Sequence, residues 1–76
     1  MPSVDKIITK MKQQPNGIRQ NDAEKVLKAY GYVCDRVKGD HGQYLNIETG
    51  DLITIKLDSP LKRVYVEDIL RRIGEK

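Results

Sequence analysis

Three stretches between residues 32 and 57 favour β-structure, and the connections between them are long enough only for hairpins. The stretches are Tyr32–Lys38, Gln43–Ile47 and Leu52–Leu57. They are rich in the β-branched, aliphatic and tyrosine side chains that suit strands. Each connection contains four residues, whereas a parallel crossover needs about a dozen or more. The sequence therefore predicts a three-stranded antiparallel meander.

Helical patterns flank the meander. The predicted helices cover residues 4–14, 22–30 and 65–73, where apolar positions recur at helical spacing. Ser3 suits the N-cap of the first helix, and Asn21 with Glu24 forms the pattern of a capping box at the start of the second. Gly31 supplies a left-handed C-cap for the second helix. The three apolar stripes are Val4, Ile7, Ile8 and Met11; Ala23, Val26, Leu27 and Tyr30; and Val66, Ile69, Leu70 and Ile73.

The order α-α-β-β-β-α predicts an α+β domain in which the helices pack on one face of a three-stranded antiparallel sheet. The chain has 76 residues, and a chain this short cannot be divided into two separate cores, so we expect residues 1–76 to form one domain. We expect Ile47, Ile53 and Ile55 to join the helices in the core. The opposite face of the sheet is expected to stay polar.

The first strand has a mixed pattern. Asp35 interrupts its apolar positions, so we expect a half-exposed strand or one at the edge of the sheet. Strict alternation places Arg36 and Lys38 together, on the face that carries Tyr32 and Cys34. Two cations on one face can hold a phosphate.

Composition limits the kinds of site and the compartment. A single Cys34 cannot form an internal disulfide and suits a reducing cytosol. One Cys and one His are too few for a structural zinc site, and we expect no metal and no cofactor. No apolar run approaches about 18 residues and the start of the chain lacks a signal-peptide pattern, so we expect a cytoplasmic protein without membrane contact. The net charge of +3 and pI of 9.1 are compatible with nucleic acid but do not require it.

The only histidine, His41, follows the basic residues Arg36 and Lys38 and lies between Gly39 and Gly42. Imidazole exchanges protons near neutral pH, which makes His41 the candidate for proton transfer. The two glycines let the backbone turn and let a bulky ligand come close. The alternative is that His41 is an exposed polar residue at the end of a strand, and the spacing alone does not decide between the two interpretations.

The run Arg36-x-x-Gly39-Asp40-His41 follows a helix that ends in Gly31-Tyr32 and precedes a strand, a hairpin, another strand and an amphipathic helix. This arrangement resembles the HicA toxin family. Its members read Gly-aromatic, a short strand, Arg-x-x-Gly-Ser-His, two more strands and a closing helix. The likeness covers roughly residues 20–74 and leaves the helix at 4–14 as an addition before it.

The resemblance implies a fold like that of a double-stranded-RNA-binding domain and an mRNA endonuclease activity. A ribonuclease that uses the neighbouring 2′-OH as its nucleophile needs no metal, so we expect a metal-independent enzyme. The resemblance also implies that His41 is the catalytic residue and that a HicB-type antitoxin covers it. The expected RNA contacts are Arg36, Lys38, Gly39, Lys56, Lys62 and Arg63. Tyr44 is a candidate for orienting His41 or the substrate, although a tyrosine in a strand more often serves packing.

Asp40 departs from the family pattern, because the family usually has Ser at this position. A carboxylate here repels an incoming phosphate. It also favours a protonated His41, and so an acid role over a base role. Like Tyr44, Asp40 is a candidate for orienting His41.

Two other classes of function remain open. A noncatalytic module of the double-stranded-RNA-binding type would bind RNA with a steep salt dependence and would not need His41. A small protein-interaction domain would carry its charges as solvated surface and would use the first helix to dock on a partner.

Overall fold

The computed structural model describes residues 3–58 and 60–74. The elements are α1 (Val4–Gln13), a 3-10 turn (Pro15–Gly17), α2 (Gln20–Ala29), β1 (Tyr32–Lys38), β2 (His41–Asn46), β3 (Leu52–Lys56) and α3 (Arg63–Arg72). The strands form one antiparallel sheet in the order β1-β2-β3. The α+β layout and the edge position of β1 are confirmed. Within the described ranges no helix has the length and apolar character needed to cross a membrane.

The helix α1 begins and packs as its pattern predicts. The Ser3 side chain accepts a hydrogen bond from the backbone N–H of Lys6 at 3.3 Å, which caps the first turn. Ile7, Ile8 and Met11 are buried, and α1 contacts both α2 and α3. This helix is therefore part of the core of the domain.

The predicted capping box of α2 is wrong. The helix begins at Gln20 with Arg19 as its N-cap, and no side chain caps it. The preceding segment is fixed in place because Ile18 is buried and its carbonyl accepts a hydrogen bond from the Leu61 N–H at 2.8 Å. Asn21 consequently lies inside the first turn. The C-cap prediction is confirmed, since Gly31 adopts a φ of 91° just beyond the helix.

The core lies between the helices and one face of the sheet. Ile53 and Ile55 are buried as expected, together with Tyr32 and Tyr44. Ile47 is 70% exposed, contrary to the prediction, because it falls in the turn after β2 and not within the strand.

A β-bulge changes the faces of β1. Cys34 pairs with Tyr44 and Arg36 pairs with Gln43, so Asp35 is an extra residue without a partner in the register. Such an insertion reverses the alternation of the residues that follow it. Arg36 and Lys38 therefore lie on the face opposite to Tyr32, and the face assigned to them from simple alternation is wrong.

The face of the sheet that points away from the helices is called the outer face below. Residues directly opposite one another in an antiparallel pair project to the same side. The register places three rows on the outer face: an aliphatic row of Val33, Leu45 and Leu52; a polar row of Arg36, Gln43 and Thr54; and a cationic row of Lys38, His41 and Lys56. The expectation of a polar outer face holds for two of these rows and fails for the first.

A polar cluster joins α3 to the turn between β2 and β3. Arg72 contacts Asp51 at 2.7 Å, and the Tyr32 hydroxyl donates to the same carboxylate at 2.6 Å. The hydrogen bonds from Tyr32 and then Arg72 hold the pKa of Asp51 below its ordinary value of 3.8. Burial and the hydrogen bond to Asp51 raise the pKa of Tyr32 to about 12. The cluster fixes the end of α3 against the sheet.

Candidate active site

His41 is the first residue of β2 and follows a two-residue turn formed by Gly39 and Asp40. Gly39 adopts a φ of 61°, which a glycine at the first position of a tight hairpin turn supplies without strain. The Asp40 carbonyl accepts a hydrogen bond from the Leu57 N–H at 2.6 Å. This bond ties the turn to the chain after β3 and holds His41 at the end of the sheet.

The Asp40 carboxylate orients the imidazole. Nδ1 of His41 lies 2.8 Å from Oδ1 of Asp40, and the His41 side chain is 47% exposed. Because this contact occupies the Nδ1 side of the ring, Nε2 is the nitrogen left to exchange a proton with another molecule. The Asp40 carboxylate thus contacts the ring at the nitrogen where an orienting group is needed.

Two lysines flank His41 across the sheet. Lys38 is directly opposite on β1 and Lys56 directly opposite on β3, so each Cβ lies about 5 Å from that of His41. Arg36 lies one row away on the same face. The structure thus brings together four of the residues selected from the sequence, although the alternation argument assigned two of them to the other face.

Gly42 serves packing and not the approach of a ligand. Its backbone is buried, and an added Cβ would lie 3.1 Å from Cδ2 of Leu57 and 3.2 Å from Cε1 of Tyr44. The missing side chain makes room for these two groups beneath the sheet. At Gly39 a Cβ would meet nothing within 4 Å, so the backbone conformation is the reason for that glycine.

Tyr44 lies on the face opposite to His41 and does not reach the imidazole. It is 2% exposed, and its hydroxyl donates to Glu24 on α2 at 2.9 Å. Burial, followed by this hydrogen bond, raises the pKa of Tyr44 well above its ordinary value. Tyr44 therefore connects β2 to the helix layer. The Glu24 carboxylate accepts this hydrogen bond and pairs with Lys28, and it does not form the expected cap.

Lys62 and Arg63 belong to the helix layer. Lys62 is the N-cap residue of α3, and Arg63 lies 3.4 Å from Glu67 one turn later. Arg63 also lines a groove of 340 Å³ between α1 and α3. The structure therefore does not bring these two predicted RNA contacts to the outer face.

Sequence reasoning overlooked Gln43 and Thr54, which lie between the aliphatic and cationic rows. An amide and a hydroxyl next to His41 can donate to and accept from a ligand. The signal that would have identified Gln43 is its spacing of two residues from His41 on one strand. Thr54 depends on the register between β2 and β3, which the sequence does not specify by itself.

The site combines an exposed imidazole, a carboxylate bound to it and three neighbouring cations. This arrangement suits proton transfer beside a bound phosphate diester. Across residues 3–58 and 60–74, no group of three or more His, Cys, Asp or Glu side chains is placed to hold a metal ion.

Comparison with protein families agrees with the fold and the motif. The family model described as the HicA toxin of bacterial toxin-antitoxin systems matches residues 21–75 of the 76. The chain belongs to the HicA toxin family. The HicA match includes all three strands, α3 and the His41 turn, and it begins within α2, so α1 lies before it. No curated protein and no solved structure matches the chain. As a member of the HicA family, the chain is the toxin of a toxin-antitoxin pair, and its partner is an antitoxin.

Proposed function

We propose that the chain is an mRNA endoribonuclease that works without a metal ion in the cytoplasm, uses His41 for proton transfer and is inhibited by a HicB-type antitoxin. One observation carries this proposal. His41 is exposed, oriented by Asp40 and flanked on both neighbouring strands by lysines. A carboxylate 2.8 Å from the imidazole and a cation on each side form the arrangement that proton transfer beside a bound phosphate requires.

The reaction follows from the groups present. The 2′-oxygen of one nucleotide attacks the adjacent phosphorus, a P–O2′ bond forms, the P–O5′ bond breaks, and the 2′-OH proton leaves as the 5′-oxygen gains one. His41 takes the first proton or supplies the second through Nε2. Such general acid or base help contributes typically about 10² to 10⁴ in rate. With a single histidine we expect a slow nuclease.

The lysines stabilise charge on the phosphate. Lys38 and Lys56 lie on either side of His41, and a phosphorane transition state carries more negative charge on its oxygens than the substrate does. Cations positioned before the reaction stabilise that added charge. Arg36 extends the cationic surface along β1 toward the next nucleotide.

Asp40 has two opposing effects on this reaction. Its carboxylate fixes the ring through the contact at 2.8 Å, which favours catalysis by His41. Its negative charge also opposes the phosphate. Because the carboxylate is directed at Nδ1, we expect its orienting effect to exceed the repulsion. The Asp40→Ser variant, which restores the residue usual in the family, then cleaves no faster than wild type.

The partner and the substrate complete the proposal. The antitoxin covers His41, because a protein bound over the outer face excludes mRNA from the imidazole and the lysines at once. A complex in which His41 keeps its solvent exposure would contradict this part of the proposal.

Cleavage of a long unstructured RNA in the presence of EDTA tests the activity. Wild type is expected to cut, and His41→Ala is expected not to cut while retaining wild-type thermal stability, since the replaced side chain is exposed. Cutting that requires added metal would overturn the metal-independent mechanism. Binding without cutting by wild type would favour the noncatalytic RNA-binding module.

A further inference from the structure

The aliphatic row is the part of the outer face that the proposed chemistry does not use. Val33, Leu45 and Leu52 are directly opposite one another across the three strands. Val33 is 42% exposed and Leu52 is 45% exposed, with Leu45 half-buried between them. The three side chains form one continuous strip, since neighbours across a sheet lie about 5 Å apart.

Nothing in residues 3–58 and 60–74 covers this strip. All three helices pack on the other face of the sheet or on one another. Ile47, which follows β2, adds a further exposed aliphatic side chain near this end of the sheet. Single exposed apolar residues are normal, but adjacent ones at a bare face are typical of a protein-binding surface.

The chemistry of the strip does not suit RNA. Single-stranded RNA is bound through cations for its phosphates and through aromatic or amide side chains for its bases. The aliphatic row offers neither, because the tyrosines of the sheet, Tyr32 and Tyr44, are buried on the other face. Aliphatic side chains instead fit the apolar centre of a protein interface, where water is excluded.

We propose that the aliphatic row anchors the antitoxin that inhibits this toxin. The inference rests on the proposed function for the identity of that partner. Leu45 and His41 are four residues apart on the extended strand β2, or about 13 Å. A single interface of ordinary size spans both. The partner segment then presents apolar side chains to the aliphatic row and carboxylates to Lys38 and Lys56, so charge complementarity fixes its direction across the sheet.

This division of the outer face makes inhibition separable from cleavage. The cationic row serves both the substrate and the antitoxin, whereas the aliphatic row serves only the antitoxin. Replacing the aliphatic side chains weakens inhibition and leaves the nuclease intact. The double variant Val33→Thr/Leu52→Thr suits this test, because threonine keeps the β-branched shape that strands favour.

The experiment measures two quantities on the full chain. Titration calorimetry gives the affinity for the proposed HicB-type antitoxin in purified form, and RNA cleavage without antitoxin gives the activity. We expect at least tenfold weaker antitoxin binding by the double variant and cleavage within about twofold of wild type. Val37→Thr is the matched control. It makes the same change on the same strand at a residue that is 57% exposed but lies on the other face.

Each outcome decides the inference. Unchanged affinity of the folded double variant overturns it, and so does loss of cleavage without antitoxin, which would assign the row to the RNA site. If the double variant loses its fold, Leu45→Thr alone is measured against the same thresholds. If wild type binds antitoxin but never cuts RNA, the nuclease proposal fails while the anchor is still judged by affinity. If wild type does not bind the antitoxin, the anchor is refuted.

Discussion

Replacing Lys38 and Lys56 together with alanine is expected to flatten the salt dependence of RNA binding. Both lysines flank His41 on neighbouring strands, with Arg36 one row away. Each cation that neutralises a phosphate releases condensed counterions from the RNA. The number of such cations therefore sets how steeply the affinity falls as salt rises.

The expected magnitude follows from this count of cations. For a single strand, each phosphate contact contributes a slope of about −0.7 to a plot of log affinity against log salt. Three contacts give a slope of about −2, and the double variant retains about −0.7. Over a fourfold rise in salt, each contact accounts for a loss of about 2.6-fold in affinity. The two lysines together account for about sevenfold.

Fluorescence anisotropy with a labelled single-stranded RNA measures this slope. A His41→Ala background keeps the RNA intact during the titration. Lys10→Ala is the matched control, because Lys10 is an exposed lysine on α1, away from the sheet. An unchanged slope in the double variant would refute the placement of RNA on the outer face. A flatter slope in a Lys62→Ala/Arg63→Ala variant would place the RNA on the helix layer instead.

Three further predictions concern the fold that supports the site. Tyr44→Phe removes the hydrogen bond to α2 and is expected to cost about 1 kcal/mol in urea unfolding, with cleavage unchanged; inactive but stable protein would contradict this. Hydrogen bonds lower the folded-state pKa of Asp51, so their contribution to stability is present at neutral pH and is lost as the pH falls below the ordinary pKa of this carboxyl group. In Asp51→Asn, the melting temperature should therefore fall less steeply with decreasing pH than in wild type. Met11→Ala, at a residue 0% exposed, should cost about 2 to 4 kcal/mol; a neutral effect would make α1 dispensable.

The sequence predicts the layout because its local signals agree with one another. Short connections allow only an antiparallel meander, and β1 has the predicted bounds Tyr32–Lys38. Ser3 and Gly31 mark helix ends through groups that act within a few residues of themselves. Local chemistry of this kind is readable without the tertiary structure.

The errors arise where tertiary contacts override local preference. Glu24 is suited to a capping box, but its carboxylate instead accepts a hydrogen bond from the Tyr44 hydroxyl and forms an ion pair with Lys28. The sequence shows that Asp35 interrupts the pattern of β1, but only the register shows it to be a bulge. That one inserted residue moves Arg36 onto the outer face. The charged residues of the candidate site were therefore predictable, whereas Gln43, Thr54 and the face of the sheet were not.

Chemical rescue of His41→Ala with free imidazole tests the central claim most directly. The His41 side chain is 47% exposed, so the space left by its removal is open to a small molecule from solution. If the imidazole of His41 transfers the proton, His41→Ala is inactive alone and regains RNA cleavage in proportion to added imidazole, while wild type does not respond. A folded His41→Ala protein that cuts RNA at the wild-type rate without imidazole would contradict the account.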